Sequence, residues 1–270
     1  AIHLFGIAFS IGFNPLGIRD FGLAFATLAI YLYGYDKYTL DYNGHDLMQV
    51  IEKERLRLVN FLGDILVICN SYQAQREWMF KKSKVIWHGF DPTEFPSALY
   101  NKGILTIGKA MKERPHYRGY YVFQKTFENF PEELLPDSLS VPEPHMLYEE
   151  NTNLYAYAKF RNYVDNIRQY SIYFNPTLRS PMPRCRGEAM VCGLAQVSTN
   201  THDVELFIKN GQNGFYSNDP QELREYLLYL LKNPDKCRKI GMAGRLLAMD
   251  IFNHDRYLFE WDEILSEVIE

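Results

Sequence analysis

The sequence predicts an α/β protein with parallel sheets, and three observations support this. Continuous apolar runs such as "IHLFGIAFS" and "DILVICNS" are typical of strands buried on both faces of a sheet. They alternate with segments in which apolar residues recur three and four positions apart, as in amphipathic helices. The alternation stops at the Pro-rich stretch "FDPTEFPSALYNKG" and then starts again. We therefore expect two successive α/β domains joined by a hinge.

The first domain is predicted from a regular order of elements. Strand "IHLFGIAFS" leads through a loop to helix "FGLAFATLAIYLYG", strand "YDKYTLDY" and helix "GHDLMQVIEKERLRLVNFL". Strand "DILVICNS", helix "YQAQREWMFKKS" and strand "KVIWHG" follow. Helices between successive strands predict a parallel, doubly wound sheet. We place this domain at residues 1–93, with fewer elements than the second.

The second domain repeats the alternation. Strand "ILTIGK", helix "GYYVFQKTFENFP", a Pro-rich connection and helix "NTNLYAYAKFRNYVDNIRQ" precede strand "SIYFNPT" and the short helix "GEAMVCG". Strand "LAQVST", helix "DVELFIKNG", strand "GFYSN" and helix "DPQELREYLLYLLKNP" complete it, with Asp219 as N-cap and Pro220 at the first helical position. We place this domain at residues 94–250 and expect the C-terminal helix, 251–270, to pack back toward the first domain.

Composition excludes several classes of protein. In 270 residues, 47% are hydrophobic and 23% charged, which is ordinary for a globular protein. The net charge is -4 and no long run of Lys or Arg occurs, so nucleic acid is not an expected partner. The four cysteines form no CxxC pair, which predicts reduced thiols without disulfides or zinc and a cytoplasmic location.

The apolar N-terminal segment raises the question of a membrane span. Polar and helix-breaking residues divide it into runs shorter than the ~20 apolar residues that a bilayer requires; they are Asn14, Pro15, Arg19 and Asp20. We therefore expect no spanning helix. Peripheral contact on the cytoplasmic side of a membrane remains an alternative.

Phosphate-binding candidates follow the first strand of each domain. Gly12 and Gly17 lie in a strand-to-helix loop whose backbone N–H groups are suited to a phosphate, although an ordinary turn explains them equally well. Neither a P-loop Lys nor a GxGxxG motif is present there, which argues against a nucleoside triphosphate or a dinucleotide cofactor. In the second domain, Lys109 and Arg118 provide two cations suited to a diphosphate, or else belong to a solvated basic loop.

Two further candidates are single ionisable side chains. Glu188 stands at the start of the predicted helix "GEAMVCG", where its carboxylate could accept hydrogen bonds from a ribose diol. It could instead cap the helix or pair with Arg179, Arg184 or Arg186. His45 precedes a helix as either a ligand-facing donor or a surface residue.

Several of these elements together resemble a known family. From "DILVICNS" to the C-terminus, the chain is similar to retaining GT-B glycosyltransferases of family 4. "GEAMVCGLAQVSTN" resembles the family's Glu-Ala-Met-Ala-x-Gly-x-Pro-Val-Val signature, and "VELFIKNGQNGF" resembles its Glu-x-x-x-x-Gly-x-x-Gly continuation. "ILTIGK" with "YRG" is similar to its strand–Gly-Arg and Lys-Gly element. The resemblance implies a GT-B-like fold with two Rossmann-like domains facing a cleft, the N-terminal one contracted.

The resemblance also implies roles for the candidate residues. Glu188 would hold the donor ribose, and Lys109 with Arg118 would bind the diphosphate and stabilise the leaving nucleotide. Gly12 and Gly17 would approach the phosphates, and His45 would lie near the sugar. The donor substrate would be a nucleoside-diphosphate sugar, with no other cofactor.

No metal is expected, because the chain has no Asp-x-Asp motif and the cations would replace Mg²⁺. The acceptor would be a saccharide, a lipid-linked molecule or a small molecule. Neither the donor's base and sugar nor the oligomeric state follows from the sequence.

One departure from the family bears on activity. The family has a glutamate eight positions before the one matched by Glu188, and Ser180 stands there in this chain. Ser180 and Arg184 are therefore the candidates for the donor-sugar side of the site. The expected function is glycosyl transfer with retention; the alternative is a nucleotide-sugar-binding protein with weak or no catalysis.

Overall fold

The computed structural model describes residues 55–107, 111–112, 115–139, 152–179 and 182–269. The chain divides into two compact units. Of the described residues, the smaller unit contains 55–67, 78–83 and 262–269, and the larger unit contains 68–77 and 84–261. The strands and helices predicted before residue 55 lie outside the described residues.

The C-terminal part of a predicted amphipathic helix lies in the smaller unit. Residues 55–62 are helical, which confirms the end of the helix predicted from "GHDLMQVIEKERLRLVNFL". Within this unit, Arg55 Nη1 donates a hydrogen bond of 2.7 Å to the backbone oxygen of Trp78. The next predicted elements are confirmed as strand β1 (Val67–Cys69), helix α1 (Tyr72–Trp78) and strand β2 (Ser83–Val85).

A five-stranded parallel sheet forms the centre of the larger unit. Its strands are β3 (Lys102–Ile107), β4 (Asp137–Leu139), β5 (Tyr170–Asn175), β6 (Ala195–Ser198) and β7 (Phe215–Tyr216). They are arranged in the order β4-β3-β5-β6-β7, and every neighbouring pair is parallel. The predicted parallel sheet is therefore confirmed in this part of the chain.

Helices connect these strands. They are α2 (Pro115–Arg118), α3 (Tyr120–Phe127), α4 (Thr152–Ile167), α5 (Arg184–Cys192), α6 (Val204–Phe207), α7 (Pro220–Lys232), α8 (Pro234–Ile251) and α9 (His254–Ile269). A 3₁₀ turn (Glu132–Leu134) precedes β4. The predicted N-cap of α7 is confirmed, because the Asp219 side chain accepts a hydrogen bond of 2.8 Å from the backbone N–H of Gln221.

The two faces of the sheet bury separate cores. Ile172 and Phe174 of β5 belong to the core covered by α3 and α7, whereas Tyr173 belongs to the core covered by α4 and α5. This follows from the alternation of side chains along a strand. Because both faces are covered, the central strands carry buried apolar side chains on both faces, which explains why "SIYFNPT" and "LAQVST" are recognisable in the sequence.

Three predicted elements differ from the observed ones. Helix α5 begins at Arg184 rather than Gly187. Pro183 is its N-cap, and a proline at that place allows the helix to begin at the next residue. Helix α6 is a single turn, and Ile208 after it is extended. Strand β4 lies in the stretch expected to be a Pro-rich connection. It was not predicted, because it is a strand of three residues beside β3 at the sheet edge and so short a strand shows little periodicity.

The four cysteines are thiols, of which three are buried and Cys185 is half-buried. All four cysteines are unpaired, and burial raises the pKa of the Cys69 thiol to about 11 and that of Cys192 and Cys237 to about 12. Among the described helices, none combines the length and the apolar character needed to cross a bilayer.

Helix α8 packs against the end of α5 through glycine. A Cβ atom built on Gly241 would overlap the backbone oxygen of Gly193 and lie 3.0 Å from the backbone nitrogen of Ala195. Gly193 itself ends α5 in the left-handed conformation, with φ of 89°. The close approach therefore joins α8 to the turn between α5 and β6.

We predict that Gly241→Ala destabilises the protein. Alanine gains about 1 kcal/mol of helix propensity, but the overlap with a backbone atom forces α8 outward, and we expect a net loss of about 1–3 kcal/mol. Chemical denaturation measures this loss in the free energy of unfolding. Gly103→Ala is the control, since its Cβ would meet its nearest atom, Leu231 Cδ2, at 3.4 Å. Equal stability of the two variants would contradict the packing argument.

Candidate functional site

The strand order of the larger unit has a switch point between β3 and β5. From β3 the chain goes to β4 on one side, and it then returns past β3 to continue through β5, β6 and β7 on the other side. The connections after β3 and β5 lie on opposite faces, because α3 packs on one core and α5 on the other. In open α/β sheets, ligands bind outside the carboxyl ends of the strands at this switch point.

The turn between α2 and α3 lies against the loop that follows β5. The backbone oxygen of Tyr117 accepts hydrogen bonds of 3.0 Å from the backbone N–H groups of Leu178 and of Arg179. Gly119 has φ of 71°, and a Cβ there would overlap the backbone oxygen of Pro176. Glycine thus allows the turn to approach closely, and this places Arg118 at the carboxyl end of β5.

Positive charge is available near the carboxyl end of β5. Arg118 is half-buried and Arg179 is exposed. Within the described part of the chain, neither guanidinium has a hydrogen-bond or ion-pair partner. Arg118 also lies close enough to Cys185 of α5 to affect the pKa of its thiol, which burial raises. Unpaired guanidinium groups on two converging loops are suited to bind an anion.

The Glu188 carboxylate is buried within α5 and receives a donor on each oxygen. Only 4% of the residue is exposed. Tyr163 Oη of α4 donates a hydrogen bond of 2.8 Å to Oε2, and Arg184 Nε donates one of 3.0 Å to Oε1. Burial, together with the nearby Glu188 carboxylate, raises the pKa of Tyr163. The tyrosine therefore stays protonated and acts as a donor.

Of the alternatives open for Glu188, the structure contains the ion pair and not the cap. Arg184 and Glu188 are four residues apart in α5 and form a salt bridge. The expectation that Glu188 opens the helix is wrong, because the helix begins a turn earlier at Arg184. A carboxylate in the second turn does not cap the first N–H groups.

Arg184 lies between solvent and the Glu188 carboxylate. Its side chain is 56% exposed, whereas that of Glu188 is 5% exposed. The guanidinium lies over the ring of Phe90, 5.0 Å from its centroid. Gly187 makes room for this ring, since a Cβ there would overlap Phe90. The cation–π contact and the ion pair hold one conformation of Arg184.

Arg186 has a different role from Arg184. It is buried, and its guanidinium donates to the backbone oxygens of Thr201 and His202 at 3.0 and 3.3 Å and to Thr201 Oγ1 at 3.3 Å. Burial lowers its pKa to about 10. These bonds fix the loop after β6, so this guanidinium is committed to the fold.

A buried donor lies at the carboxyl end of β5. Asn175 is 2% exposed, and its Oδ1 accepts a hydrogen bond of 3.2 Å from the backbone N–H of Thr177. Its Nδ2 is buried and has no acceptor among the described residues. A buried N–H group without a partner is uncommon in folded proteins, so this one is a candidate ligand donor.

Asp203 organises the neighbouring loop. Its buried carboxylate accepts from the backbone N–H groups of Tyr72 and Gln73 at 2.6 and 2.8 Å, and from Trp87 Nε1 at 2.9 Å. It thereby caps α1 from the loop that follows β6. The adjacent His202 is buried too, and burial and the charge of Arg186 lower its pKa to about 4.

The structure brings some of the predicted site residues together. Arg118, Glu188 and Arg184 lie on elements that meet at the carboxyl end of β5. Five others lie outside the described residues: Gly12, Gly17, His45, Lys109 and Ser180. In the part of the chain that the structure describes, no three His, Cys, Asp or Glu side chains gather as in a metal site.

Three residues of this region were not identified from the sequence. Tyr163 is one of many aromatics on amphipathic helices, and its distance from Glu188 along the chain gives no local signal. Asn175 at the end of a predicted strand was a detectable signal, because strand ends in parallel sheets carry ligand-binding side chains. Asp203 was read only as the start of a helix.

We predict that Tyr163→Phe lowers the free energy of unfolding by about 1–3 kcal/mol, because Glu188 Oε2 is buried and would lose its donor. Urea denaturation at neutral pH measures the change. Tyr229→Phe is the matched control, since Tyr229 is 43% exposed and its hydroxyl has no partner among the described residues. A cost no greater than that of the control would show that the Tyr163 hydrogen bond does not stabilise the fold.

A second prediction concerns pH. Because the pKa of His202 is about 4 in the folded protein and 6.5 in the unfolded chain, only the unfolded chain takes up the proton between these values. The contribution of the neutral histidine to the free energy of unfolding is complete above pH 6.5. It decreases as the pH falls toward 4, by at most about 3 kcal/mol. We expect His202→Asn to make the stability curve shallower between pH 4.5 and 6.5. An unchanged slope would contradict a neutral buried His202.

Comparison with known proteins finds one family model that matches part of the chain. The sequence model of the family described as "Glycosyl transferases group 1" matches residues 142–233, about a third of the chain. No curated protein sequence matches the chain.

Solved structures share the fold at low sequence identity. The Anabaena protein HepE in complex with UDP and glucose has a TM-score of 0.62 and 16% identity, over 79% of this chain. Sucrose-phosphate synthase from Thermosynechococcus elongatus has a TM-score of 0.61 and 13% identity, over 89% of this chain. The pneumococcal O-GlcNAc transferase GtfA, in complex with UDP and GlcNAc, has a TM-score of 0.52 and 16% identity, over 76% of this chain.

The matches cover 67% of HepE, 65% of the synthase and 45% of GtfA, so the chain spans about two thirds or less of each relative. The expected fold class is confirmed: the chain has the α/β fold with parallel sheets of the GT-B glycosyltransferases.

Proposed function

We propose that this protein is a glycosyltransferase that moves a sugar from a nucleoside-diphosphate sugar to an acceptor hydroxyl, with retention at the sugar carbon and without a bound metal. One observation supports this most strongly. At the switch point between β3 and β5, the guanidinium of Arg118, which has no partner among the described residues, lies beside the loop that leads to the buried Glu188 carboxylate. A diphosphate and a ribose require such an anion site and such an acceptor.

In this proposal Arg118 binds the diphosphate together with Lys109, which follows β3 in the sequence. Transfer breaks the bond between the sugar carbon and the diphosphate oxygen and forms one to the acceptor oxygen. The acceptor hydroxyl proton passes to the leaving diphosphate. Charge builds up on the diphosphate as it leaves, and fixed cations stabilise it without reorganising. Much of the rate then comes from positioning and electrostatics.

Glu188 holds the ribose in this proposal. A carboxylate accepts hydrogen bonds from both hydroxyls of a vicinal diol, and burial makes those bonds stronger than they are in water. Asn175 Nδ2 is a further donor at the carboxyl end of β5. We assign Ser180 and Arg184 to the donor-sugar side.

The remaining assignments come from the resemblance to family 4. We propose that Gly12 and Gly17 approach the phosphates and that His45 lies near the sugar, in an acceptor domain at residues 1–93. The nucleotide-sugar domain would be residues 94–250, with 251–270 packing back. The acceptor would be a saccharide, a lipid-linked molecule or a small molecule, met in the cytoplasm or at the cytoplasmic side of a membrane.

The solved relatives support a uridine nucleotide as the first donor to try. One Anabaena HepE structure contains UDP-glucose, and the GtfA structure contains UDP with GlcNAc. We therefore propose a UDP-sugar donor for this chain, to be compared with guanosine and adenosine donors.

One observation favours a second candidate, a nucleotide-sugar-binding protein with weak or no catalysis. Both oxygens of Glu188 already have donors within the protein. Such a carboxylate would contribute less to ligand binding unless one donor moves away.

Titration with UDP-sugars, GDP-sugars and ADP-sugars distinguishes the two functions. Calorimetry detects binding, and a coupled assay detects free nucleoside diphosphate in the presence of saccharide, lipid and small-molecule acceptors. An enzyme binds and releases the diphosphate with an acceptor present. Binding without release, over a broad set of acceptors, would support the second candidate, and no binding would contradict both.

We predict that Arg118→Ala lowers kcat by about 10²–10³-fold, because it removes a cation that stabilises the leaving diphosphate. The fold should remain intact, since the Arg118 side chain has no partner within the described part of the chain. Steady-state kinetics and circular dichroism measure the two effects. The control is Arg238→Ala, an exposed arginine over the ring of Tyr100. Turnover by Arg118→Ala equal to that of the control would exclude Arg118 from the diphosphate site.

A further inference from the structure

The carboxylate that is proposed to hold the ribose is covered by two donors of the protein. Oε2 receives the Tyr163 hydroxyl at 2.8 Å and Oε1 receives Arg184 Nε at 3.0 Å. The Glu188 side chain is 5% exposed. A ribose diol therefore reaches Glu188 only after one of these two donors moves.

The two donors differ in how easily they move. Tyr163 is 6% exposed and lies in the core together with its neighbours Val164 and Ile167. The Arg184 side chain is 56% exposed and belongs to the first residue of α5. Its guanidinium also lies over the ring of Phe90, 5.0 Å from the centroid, and near His88, whose pKa burial and this charge lower. An exposed arginine in the first turn rotates without disturbing the core, whereas the buried tyrosine does not.

We propose that Arg184 is a displaceable cover of Glu188. When a ribose binds, its hydroxyls replace the Arg184 guanidinium at the carboxylate, and the guanidinium then turns to the anionic part of the same ligand. The ribose hydroxyls donate to Oε1 in place of Arg184 Nε, so the buried carboxylate is never left without a donor. This inference rests on the proposed function, since it assumes a nucleoside diphosphate at this site.

The cations near Arg184 mark where a bound diphosphate would hold the released side chain. Arg118 acts on Cys185, which is the residue next to Arg184. The backbone of Arg179 is bonded to Tyr117, the residue next to Arg118. A diphosphate among these cations would attract a third guanidinium. Ribose binding and diphosphate binding are therefore coupled through Arg184.

The test measures the two halves of the ligand separately. Calorimetry gives dissociation constants for UDP, for uridine and for 2′,3′-dideoxyuridine, with the guanosine and adenosine series in parallel. The ratio of the 2′,3′-dideoxyuridine constant to the uridine constant is the ribose factor, because neither ligand carries a diphosphate that could hold Arg184. The ratio of the uridine constant to the UDP constant is the diphosphate factor. Both are measured for the native protein, for Arg184→Met and for the control Arg238→Met.

Methionine suits position 184, because it keeps a long unbranched side chain over Phe90 and carries no N–H donor. We expect Arg184→Met to raise the ribose factor about two- to tenfold, since the diol no longer competes with a charged donor. The diphosphate factor should fall in the same variant. Arg238 lies over an aromatic ring in the same way but has no carboxylate partner in the part of the chain that the structure describes, so its replacement should change neither factor.

Other results would overturn the proposal. An unchanged or lower ribose factor in Arg184→Met, with UDP still binding, contradicts the cover and leaves the proposed function intact. No binding by any nucleoside diphosphate contradicts the proposed function and the cover together.

If Arg184→Met does not fold, NMR of the Arg184 Nε–H group in the native protein decides instead. Its resonance should shift with uridine and remain near the free position with 2′,3′-dideoxyuridine, whereas equal shifts would contradict the cover.

Discussion

The parallel pairing of β3 with β5 is the constraint on which the rest of the structure depends. Because β4 lies on one side of this pair and β6 and β7 lie on the other, the connections after β3 and β5 leave on opposite faces, and open α/β sheets bind ligands at such a switch point. Gly119 allows the turn before α3 to approach the β5 loop closely, and Arg186 ties α5 to the loop after β6. The cation at 118 and the carboxylate at 188 are therefore positioned by the sheet.

Burying a carboxylate is costly unless donors satisfy it, and this requirement links the fold of the site to its chemistry. Tyr163 and Arg184 satisfy Glu188, one from the core and one from the surface. The core donor stabilises the carboxylate permanently, and the surface donor is the one that a ligand can replace. The same two hydrogen bonds thus support stability and allow ligand exchange.

The sequence was most informative where both faces of an element are buried. Strands β3, β5 and β6 were predicted from their apolar runs, whereas edge strand β4 has too few residues for a pattern and was missed. Arg118 and Glu188 were predicted as site residues through motif resemblance and strand-end position, and their roles stay predictions. Tyr163 could not be found, because its contact with Glu188 depends on how α4 packs against α5. The start of α5 was misplaced by a turn because Pro183 was not treated as an N-cap.

The central claim is that a nucleoside diphosphate binds at the carboxyl ends of β3 and β5. A crystal structure of the protein with UDP, or with whichever nucleoside diphosphate binds, tests this most directly. The account predicts the diphosphate within hydrogen-bond distance of the Arg118 guanidinium and a ribose hydroxyl within hydrogen-bond distance of Glu188. A nucleotide bound elsewhere, with the pair of Arg184 and Glu188 intact, would contradict it.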